Sequence, residues 1–334
     1  MQFSLLLVLI FALACNAYIT PSNFGIRSTN LNAVTAAQVK ELREKSGAGM
    51  LDCKKALTET DGNIDGAVDW LRKKGLASVQ KKAGRTASTG LCVVQQTSDL
   101  KAASVLEMNC ETDFVARNEN FQAFVQEMSE IAASGAGTDD ALLSSEYKGS
   151  ESATVSDEIT RLIATIGENM KFRRVERLTV NNGLVSTYMH MPTPGQKNMG
   201  KIGVAVAVES TASDTAKLQE LGKNIAMHVA AQNPMSLSID SMDPAALERE
   251  KNVLVEQAKA SGKPEAAIEK MVEGRIRKFY EENCLLEQPF VMDSKIKVRE
   301  LVESTAKELG SPISITGYSR MMLGEGIEKK EEEE

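Results

Sequence analysis

From Thr35 onward, apolar residues recur at helical spacing in three short bursts. Thr35 reads as the N-cap of a helix over Ala36 to Lys45 with Val39 and Leu42 on one face, and Gly47 and Gly49 break it. Met50 to Thr58 supplies a second helix and Asp61-Gly62 a turn. Ile64, Ala67, Val68 and Leu71 fall at i, i+3, i+4 and i+7, which predicts a third helix to about Lys74 that stops at Gly75. Residues 35–76 therefore read as a helical bundle. Residues 77–89 are polar, basic and punctuated by glycine, so they read as a linker, with Lys81, Lys82 and Arg85 a solvated run.

Beyond the linker the period changes. Leu91 to Val94 and Ala103 to Met108 are short strand patterns, and Phe121, Phe124, Val125, Met128, Ile131 and Ala132 then keep helical spacing. The order returns later in the chain: Leu184 to Met189, Ile202 to Val208, and a helix carrying Leu218, Leu221, Ile225 and Val229. Glu107 and Glu209 take the same place near the ends of their strands in this reading. An α+β fold follows, with a core of two related antiparallel sheet-plus-helix halves over 90–183 and 184–323. Between them, Val155, Ile159, Leu162, Ile163 and Ile166 mark a helix ending near Gly167, Phe172 to Val180 returns as a strand, and Asn182-Gly183 is a hairpin signal. Residues 243–287 have another texture, charged and alanine-rich and broken once at Ser261-Gly262-Lys263-Pro264, which predicts an antiparallel helical hairpin inserted into the second half. A helix around Val298 to Leu309 and a strand near Ile313 to Tyr318 follow. Residues 324–334 form a short module with an acidic tail.

Composition narrows the function classes. The 334 residues carry a formal net charge of -7, which argues against a general nucleic-acid binder, because neutralising phosphates needs a basic face. The 5 cysteines form no CxxC pair and read as free thiols, with Cys15 leaving in a presequence. His190 and His228 are the only histidines, and no Cys/His cluster suggests a metal. No phosphate-binding GxxxxGK[ST] occurs, so neither a nucleotide nor any other cofactor is expected. Cys110 lacks the surroundings of a thiol nucleophile, and an enzyme is not expected.

The first residues read as an address. Leu5 to Ala14 is an apolar run too short to span a bilayer, ending in small residues around Ala17. Tyr18 to Val34 then holds one arginine, Arg27, and no acid, and the first acidic residue of the chain is Glu41. Signal peptide followed by transit peptide over residues 1–34 resembles the bipartite presequences of algal plastids, with a mitochondrial destination as the alternative. No membrane role is expected of the mature form.

The stretch that organises the chain is EMNCETDFVARN, Glu107 to Asn118. Phe114 sits in it at a strand-to-helix turn, flanked by Asp113 and Arg117. Such a ring either plugs its own core or stands exposed as a wedge for a partner. EMNCETDFVARN resembles the second signature of the elongation factor Ts family, guanine-nucleotide exchange factors for elongation factor Tu. LREKSGAGMLDCKKAL (Leu42 to Leu57) resembles its first, and the likeness continues in IGENMKFRR (Ile166 to Arg174), IAMHVAAQNP (Ile225 to Pro234), KMVEGRIRKF (Lys270 to Phe279), QPFVM (Gln288 to Met292) and GEGIEK (Gly324 to Lys329).

This resemblance implies a ubiquitin-associated-like (UBA-like) three-helix bundle, an antiparallel coiled-coil hairpin, and elongation factor Tu as partner in its GDP-bound and nucleotide-free states. It implies that Arg43, Met50, Leu51 and Lys54 dock on the partner's nucleotide domain. Asp113 and Phe114 would form the exchange wedge, with Thr112 and Val115 also at the partner contact and, together with Arg117 and Asn118, holding its turn. Ile166, Gly167 and His190 match positions at the partner surface, although Met191 follows His190 where the family pattern tends to glycine. The alternative from another class is an adaptor that binds ubiquitin or nascent chains through the bundle.

Overall fold

The computed structural model describes residues 34–150, 152–259 and 264–327. The expected presequence, the break at Ser261-Gly262-Lys263 and the acidic tail after Ile327 lie outside them. The fold is α+β with antiparallel strands. It begins with helices α1 (Ala36–Ser46), α2 (Met50–Glu59) and α3 (Ile64–Lys82). Thr35 caps α1 in a reciprocal box: its hydroxyl accepts from Gln38 N at 3.2 Å, and Gln38 Oε1 accepts from Thr35 N at 3.0 Å. Leu42, Cys53, Ala56, Leu57 and Ala67 are fully buried where the three helices meet.

Helix α3 does not stop at Gly75. It continues to Lys82, six residues beyond the boundary expected at residue 76, because Gly75 is where it lies against a second helix, α7 (Val155–Ile166). A Cβ at Gly75 would sit 3.5 Å from Ala164 Cβ and 3.6 Å from Thr160 Cγ2, ordinary contact distances. Gly75 is thus a point of contact within the helix and not a helix stop, and the space there admits a methyl group. Nor is the basic run simply solvated: Lys82 Nζ donates to Ile163 O at 3.2 Å, and Arg85 pairs with Glu111 at 3.5 Å. Since an interior glycine weakens a helix by roughly 0.5–1 kcal/mol relative to alanine, Gly75→Ala is expected to raise stability by up to about that amount. Denaturant unfolding checks this; a loss of stability would mean that the approach of α3 to α7 has no room for a methyl group.

The strands are β1 (Thr89–Gln96), β2 (Ala102–Cys110), β3 (Met170–Thr179), β4 (Gly183–Pro192), β5 (Met199–Ser210) and β8 (Ile313–Met322), with a small hairpin of β6 (Pro289–Phe290) and β7 (Asp293–Lys297). β2 pairs with β1 and β3, and β5 pairs with β4 and β8, all antiparallel. Among the described residues the two trios pair as strands where Cys92 and Val93 meet Gly200 and Met199, and Val94 N beside them donates to Asn198 O at 2.9 Å. Otherwise they face each other across a layer of small residues: Ala103 and Val105 of β2, Ala205 and Ala207 of β5, and Cys92 and Val94 of β1. Gly203 keeps that approach close, since a Cβ there would lie 2.9 Å from Val94 Cγ1 and 3.0 Å from Val105 Cγ1. Helices cover the outer faces. α5 (Glu119–Ser134), α6 (Asp139–Ser144) and α7 close the first core, and α8 (Thr215–Gln232) with α11 (Val298–Leu309) closes the second. β2 is consequently buried along its whole length. Helices α9 (Pro244–Lys259) and α10 (Glu265–Asn283) form the antiparallel insertion, with Leu254 and Val272 buried and Arg275 donating to Gln257 Oε1 at 2.9 Å.

Two sequence expectations are corrected here. Asn182-Gly183 is not a hairpin turn, because β3 pairs with β2 while β4 pairs with β5; the dipeptide is the crossing between the halves. Gly183 has φ +104° for a different reason, since a Cβ there would lie 2.1 Å from Val208 O. A Cβ at Gly90, φ +130°, would likewise lie 2.1 Å from Met108 O. These matched glycines set the internal register. Gly90 faces Asn109 and Gly183 faces Glu209, so Glu209 corresponds to Asn109, and Glu107 corresponds to Ala207. The irregularities in the two ladders agree, falling between Glu107 and Met108 and between Ala207 and Val208.

Glu107 therefore stands in the layer between the halves, fully buried, where its counterpart is alanine. It accepts from Gly324 N at 2.7 Å, Arg173 Nη1 at 2.8 Å, Arg174 Nε at 2.7 Å and Asn109 Nδ2 at 3.2 Å. Arg173 also donates to Glu325 O, and Arg174 and Arg320 each reach the Glu325 carboxylate at 3.4 Å. The C-terminal turn is latched across the core by these bonds. In the second half, His228 is buried as the neutral tautomer: Nδ1 accepts from Val291 N at 3.1 Å, which leaves the Nε2 proton for Gln288 Oε1 at 2.9 Å. Burial pushes its pKa down, against the opposing pull of Gln288.

Candidate functional site

β2 ends at Cys110, and the chain turns through Glu111 and Thr112 into a single helical turn, α4 (Asp113–Ala116). Four residues cannot close enough hydrogen bonds to hold a helix by themselves, so neighbours must fix this turn. Val115 and Ala116 do so from below, buried in the first core, so Val115, expected at the partner contact, instead packs against its own protein. Thr112 does so from the side, where its N–H and Oγ1 both bond the Glu168 carboxylate, at 3.0 and 2.8 Å. Asn118 caps α5, accepting from Asn120 N at 3.0 Å and Phe121 N at 3.3 Å, and Gln122 Nε2 donates to Ala116 O at 3.0 Å. Cys110 Sγ lies 3.1 Å from Thr112 O, and burial pushes its thiol up to about 11, so it stays protonated at neutral pH.

What this scaffold presents is a bare ring. Phe114 is 85% exposed, while its neighbour Val115 is 4% exposed. Of the two readings of Phe114, the structure rules out a plug in its own core. Asp113 beside it is exposed too and lies 3.6 Å from Arg117, a solvated pair of little energetic weight.

A second apolar display lies on the bundle. Met50 and Leu51 open α2 with Leu51 84% exposed, and Arg43 and Lys54 are exposed beside the same turn. The turn rests on α7, since Arg161 Nη1 donates to Ser46 O at 3.4 Å, and Arg161 is itself held by the buried Glu158 at 2.7 and 2.6 Å. Arg72 of α3 pairs with Asp157 of α7 at 2.8 Å. The far end of α7 is Ile166, half buried, followed by the exposed C-cap Gly167 with φ +90°. Glu168 comes next, the residue that holds Thr112. One helix thus carries the bundle from Asp157 to Ala164, and the residue after its C-cap holds the Phe114 turn.

His190 is exposed on β4, its Nδ1 3.3 Å from Tyr188 OH, and Met191 after it takes φ +53°, the backbone region that favours glycine. Its hairpin is braced on α5, through Gln196 to Gln122 at 3.0 Å and Asn198 to Gln126 at 2.7 Å. His190 therefore belongs to a neighbouring surface reached through α5. Sequence reasoning missed Glu168 and Glu111. Glu111 accepts from Asn169 N, while Asn169 Nδ2 donates to Arg85 O at 2.8 Å. The available signal was an acid directly after a helix-terminal glycine. Among the described residues no group of three or more His, Cys, Asp and Glu is placed to hold a metal ion, and no helix is long and apolar enough to cross a membrane.

Exposed apolar side chains held on rigid turns, over a two-part α+β core, define a factor that acts by docking on another protein. The chain agrees with this class in its relatives. The family model described as elongation factor TS matches residues 111–325. Elongation factor Ts of Rhodospirillum centenum is 56% identical over 296 residues, covering 89% of this chain and 94% of that protein. The same factor from Rhodospirillum rubrum is 56% identical over 298 residues (89% and 95%), and that of Caulobacter vibrioides 53% over 302 (90% and 95%). The chain belongs to the elongation factor Ts family and is a translation elongation factor. An adaptor reading is not favoured, because the likeness extends far beyond the bundle.

Proposed function

We propose that this protein accelerates GDP release from elongation factor Tu by inserting Phe114 beside the partner's magnesium and phosphate site. The observation that carries this is the exposed ring of Phe114 on a turn whose every other anchor is buried or hydrogen-bonded. A release factor must bind the opened partner more tightly than the GDP-bound one, since a ligand shifts an equilibrium only by its differential affinity. A 10⁴-fold acceleration would require a preference of about 5.5 kcal/mol. Phe114 supplies part of it by filling space that exists only in the opened state, and Asp113 pairs with groups exposed there. Arg43, Met50, Leu51 and Lys54, on a bundle of UBA-like kind, dock on the nucleotide domain. The two-part core and His190 hold the rest of the partner, with Ile166 and Gly167 beside the wedge. The insertion α9–α10 acts as a coiled-coil module. The apolar run and acid-free segment of the first 34 residues support delivery to a plastid, with the mitochondrion as the alternative.

Catalytic amounts of the protein are expected to accelerate release of a fluorescent GDP analogue from elongation factor Tu with multiple turnovers. Acceleration only at stoichiometric amounts, or none with a folded protein and a competent partner, would overturn the reading.

A further inference from the structure

The wedge leans on one carboxylate to which no motif assigned a role. We infer that Glu168 is the positioning residue of Phe114, fixing the ring relative to the bundle through α7. The inference deepens the exchange reading above and rests on it.

The turn needs such a residue. Its first hydrogen bonds are long, with Ala116 N to Thr112 O at 3.4 Å and Arg117 N to Phe114 O at 3.3 Å, only its last, Asn118 N to Val115 O, is short at 2.9 Å, and the Asp113–Arg117 pair is exposed to solvent screening. Val115 and Ala116 anchor it from below, but an apolar anchor allows a short turn to rock about it. Glu168 removes that freedom with two charge-assisted bonds to a single residue, which fix direction as well as distance.

Glu168 is itself held in place. Gly167 before it ends α7, and Asn169 after it is tied by its N–H to Glu111 and by its side chain to Arg85 O. Segments 111–112 and 168–169 are thus stitched together at adjacent residues. The same helix meets the bundle through Arg161 to Ser46 O and Asp157 to Arg72. A partner that docks on the bundle therefore meets Phe114 at a preset distance and angle. Without Glu168 the docking surface remains, but the ring is misplaced, and misplacement by about 1 Å can slow a catalysed step up to about 100-fold.

The test uses the full chain with elongation factor Tu bound to fluorescent GDP, and measures exchange rate against partner concentration for Glu168→Ala, Glu168→Gln, Phe114→Ala and the Phe114→Ala/Glu168→Ala double variant. Glu168→Ala is expected to lower the maximal rate about tenfold, with the half-saturating concentration within about twofold. Glu168→Gln should recover most of the rate, because its amide oxygen accepts from Thr112 N–H and its NH₂ donates to Thr112 Oγ1. The double variant should be no slower than Phe114→Ala alone, since a positioning residue has no effect once the ring is gone. Thr112→Val, which removes only the hydroxyl bond, should give a smaller loss that also vanishes without Phe114, and it serves if Glu168→Ala fails to fold. A wild-type rate for Glu168→Ala, additive losses in the double variant, or a Gln variant as slow as Ala would overturn the inference. A wild-type rate for Phe114→Ala would instead bring down the wedge reading, and this one with it.

Discussion

Replacing Phe114 by alanine is expected to slow GDP release from elongation factor Tu by about two orders of magnitude while leaving the free protein as stable as before. The two halves of this expectation come from one number, the 85% exposure of the ring. In the free protein the side chain buries almost nothing, so its removal takes no apolar area out of the core. In the complex a buried ring makes its full contribution, and Phe→Ala at a buried site costs about 3–5 kcal/mol; the lower figure corresponds to a rate factor of about 150. Val115 and Ala116 keep the turn anchored and Thr112 keeps its bonds to Glu168, so the backbone that carried the ring stays in place. Thermal unfolding and stopped-flow release separate the effects. An unchanged release rate would remove the wedge; a lowered unfolding midpoint would mean that the ring packs on its own protein.

The second large effect concerns stability. Glu107→Ala leaves Gly324 N–H without its buried acceptor and takes one partner each from Arg173 and Arg174, which are partly exposed and keep Glu325, so a loss of about 1–3 kcal/mol is expected. The loss should appear in denaturant unfolding and free the C-terminal turn first, because Gly324 and Glu325 are held by this cluster. The same carboxylate gives a signature in acid. Burial alone would raise its pKa, but the Gly324 N–H, Arg173, Arg174 and Asn109 outweigh that and hold it below the usual carboxylate value. A carboxylate depressed in the folded state contributes stability that is complete above its unfolded pKa, near 4.5, and is lost as pH falls through the lower folded value. Stability measured down from neutral pH should thus fall below about 4.5, and Glu107→Gln should lack that component. An acid slope identical in the Gln variant would assign the loss to other carboxylates.

Much of this arrangement was legible beforehand. The spacing of Val155, Ile159, Leu162 and Ile163 gave α7, and Phe121, Phe124, Val125 and Met128 gave α5, because a buried helical face imposes its period directly on the chain. Thr35, Gly47 and Gly167 mark their helix ends for equally local reasons. Phe114 could be singled out only as a choice between plug and wedge. Its exposure depends on where Val115 and Ala116 go, which is set by α5 and β2 and not by the turn itself.

The failures share a cause. Gly75 looked like a stop and proved to be a contact with α7; Asn182-Gly183 looked like a hairpin and proved to be a crossing that accommodates Val208 O. At Gly183 space is short and φ positive, at Gly75 neither holds, and in the sequence the two glycines look alike because the neighbour that decides lies far along the chain. Glu107 and Glu209 looked equivalent because each sits near a strand end, and only the ladders showed that Glu107 matches Ala207.

By itself, then, the sequence determined the α+β class, the longer helices though not α4, α6 or the end of α3, the repeated strand-strand-helix order and the family, because these rest on local period, capping and long motifs. Only the tertiary structure decided that the halves meet through a layer of alanine and valine with Glu107 buried in it, that Phe114 stands exposed, and that Glu168 connects its turn to the bundle. The physical reason is distance along the chain. Thr112 and Glu168 are 56 positions apart and Glu107 and Gly324 217 apart, and no local propensity carries information across such separations.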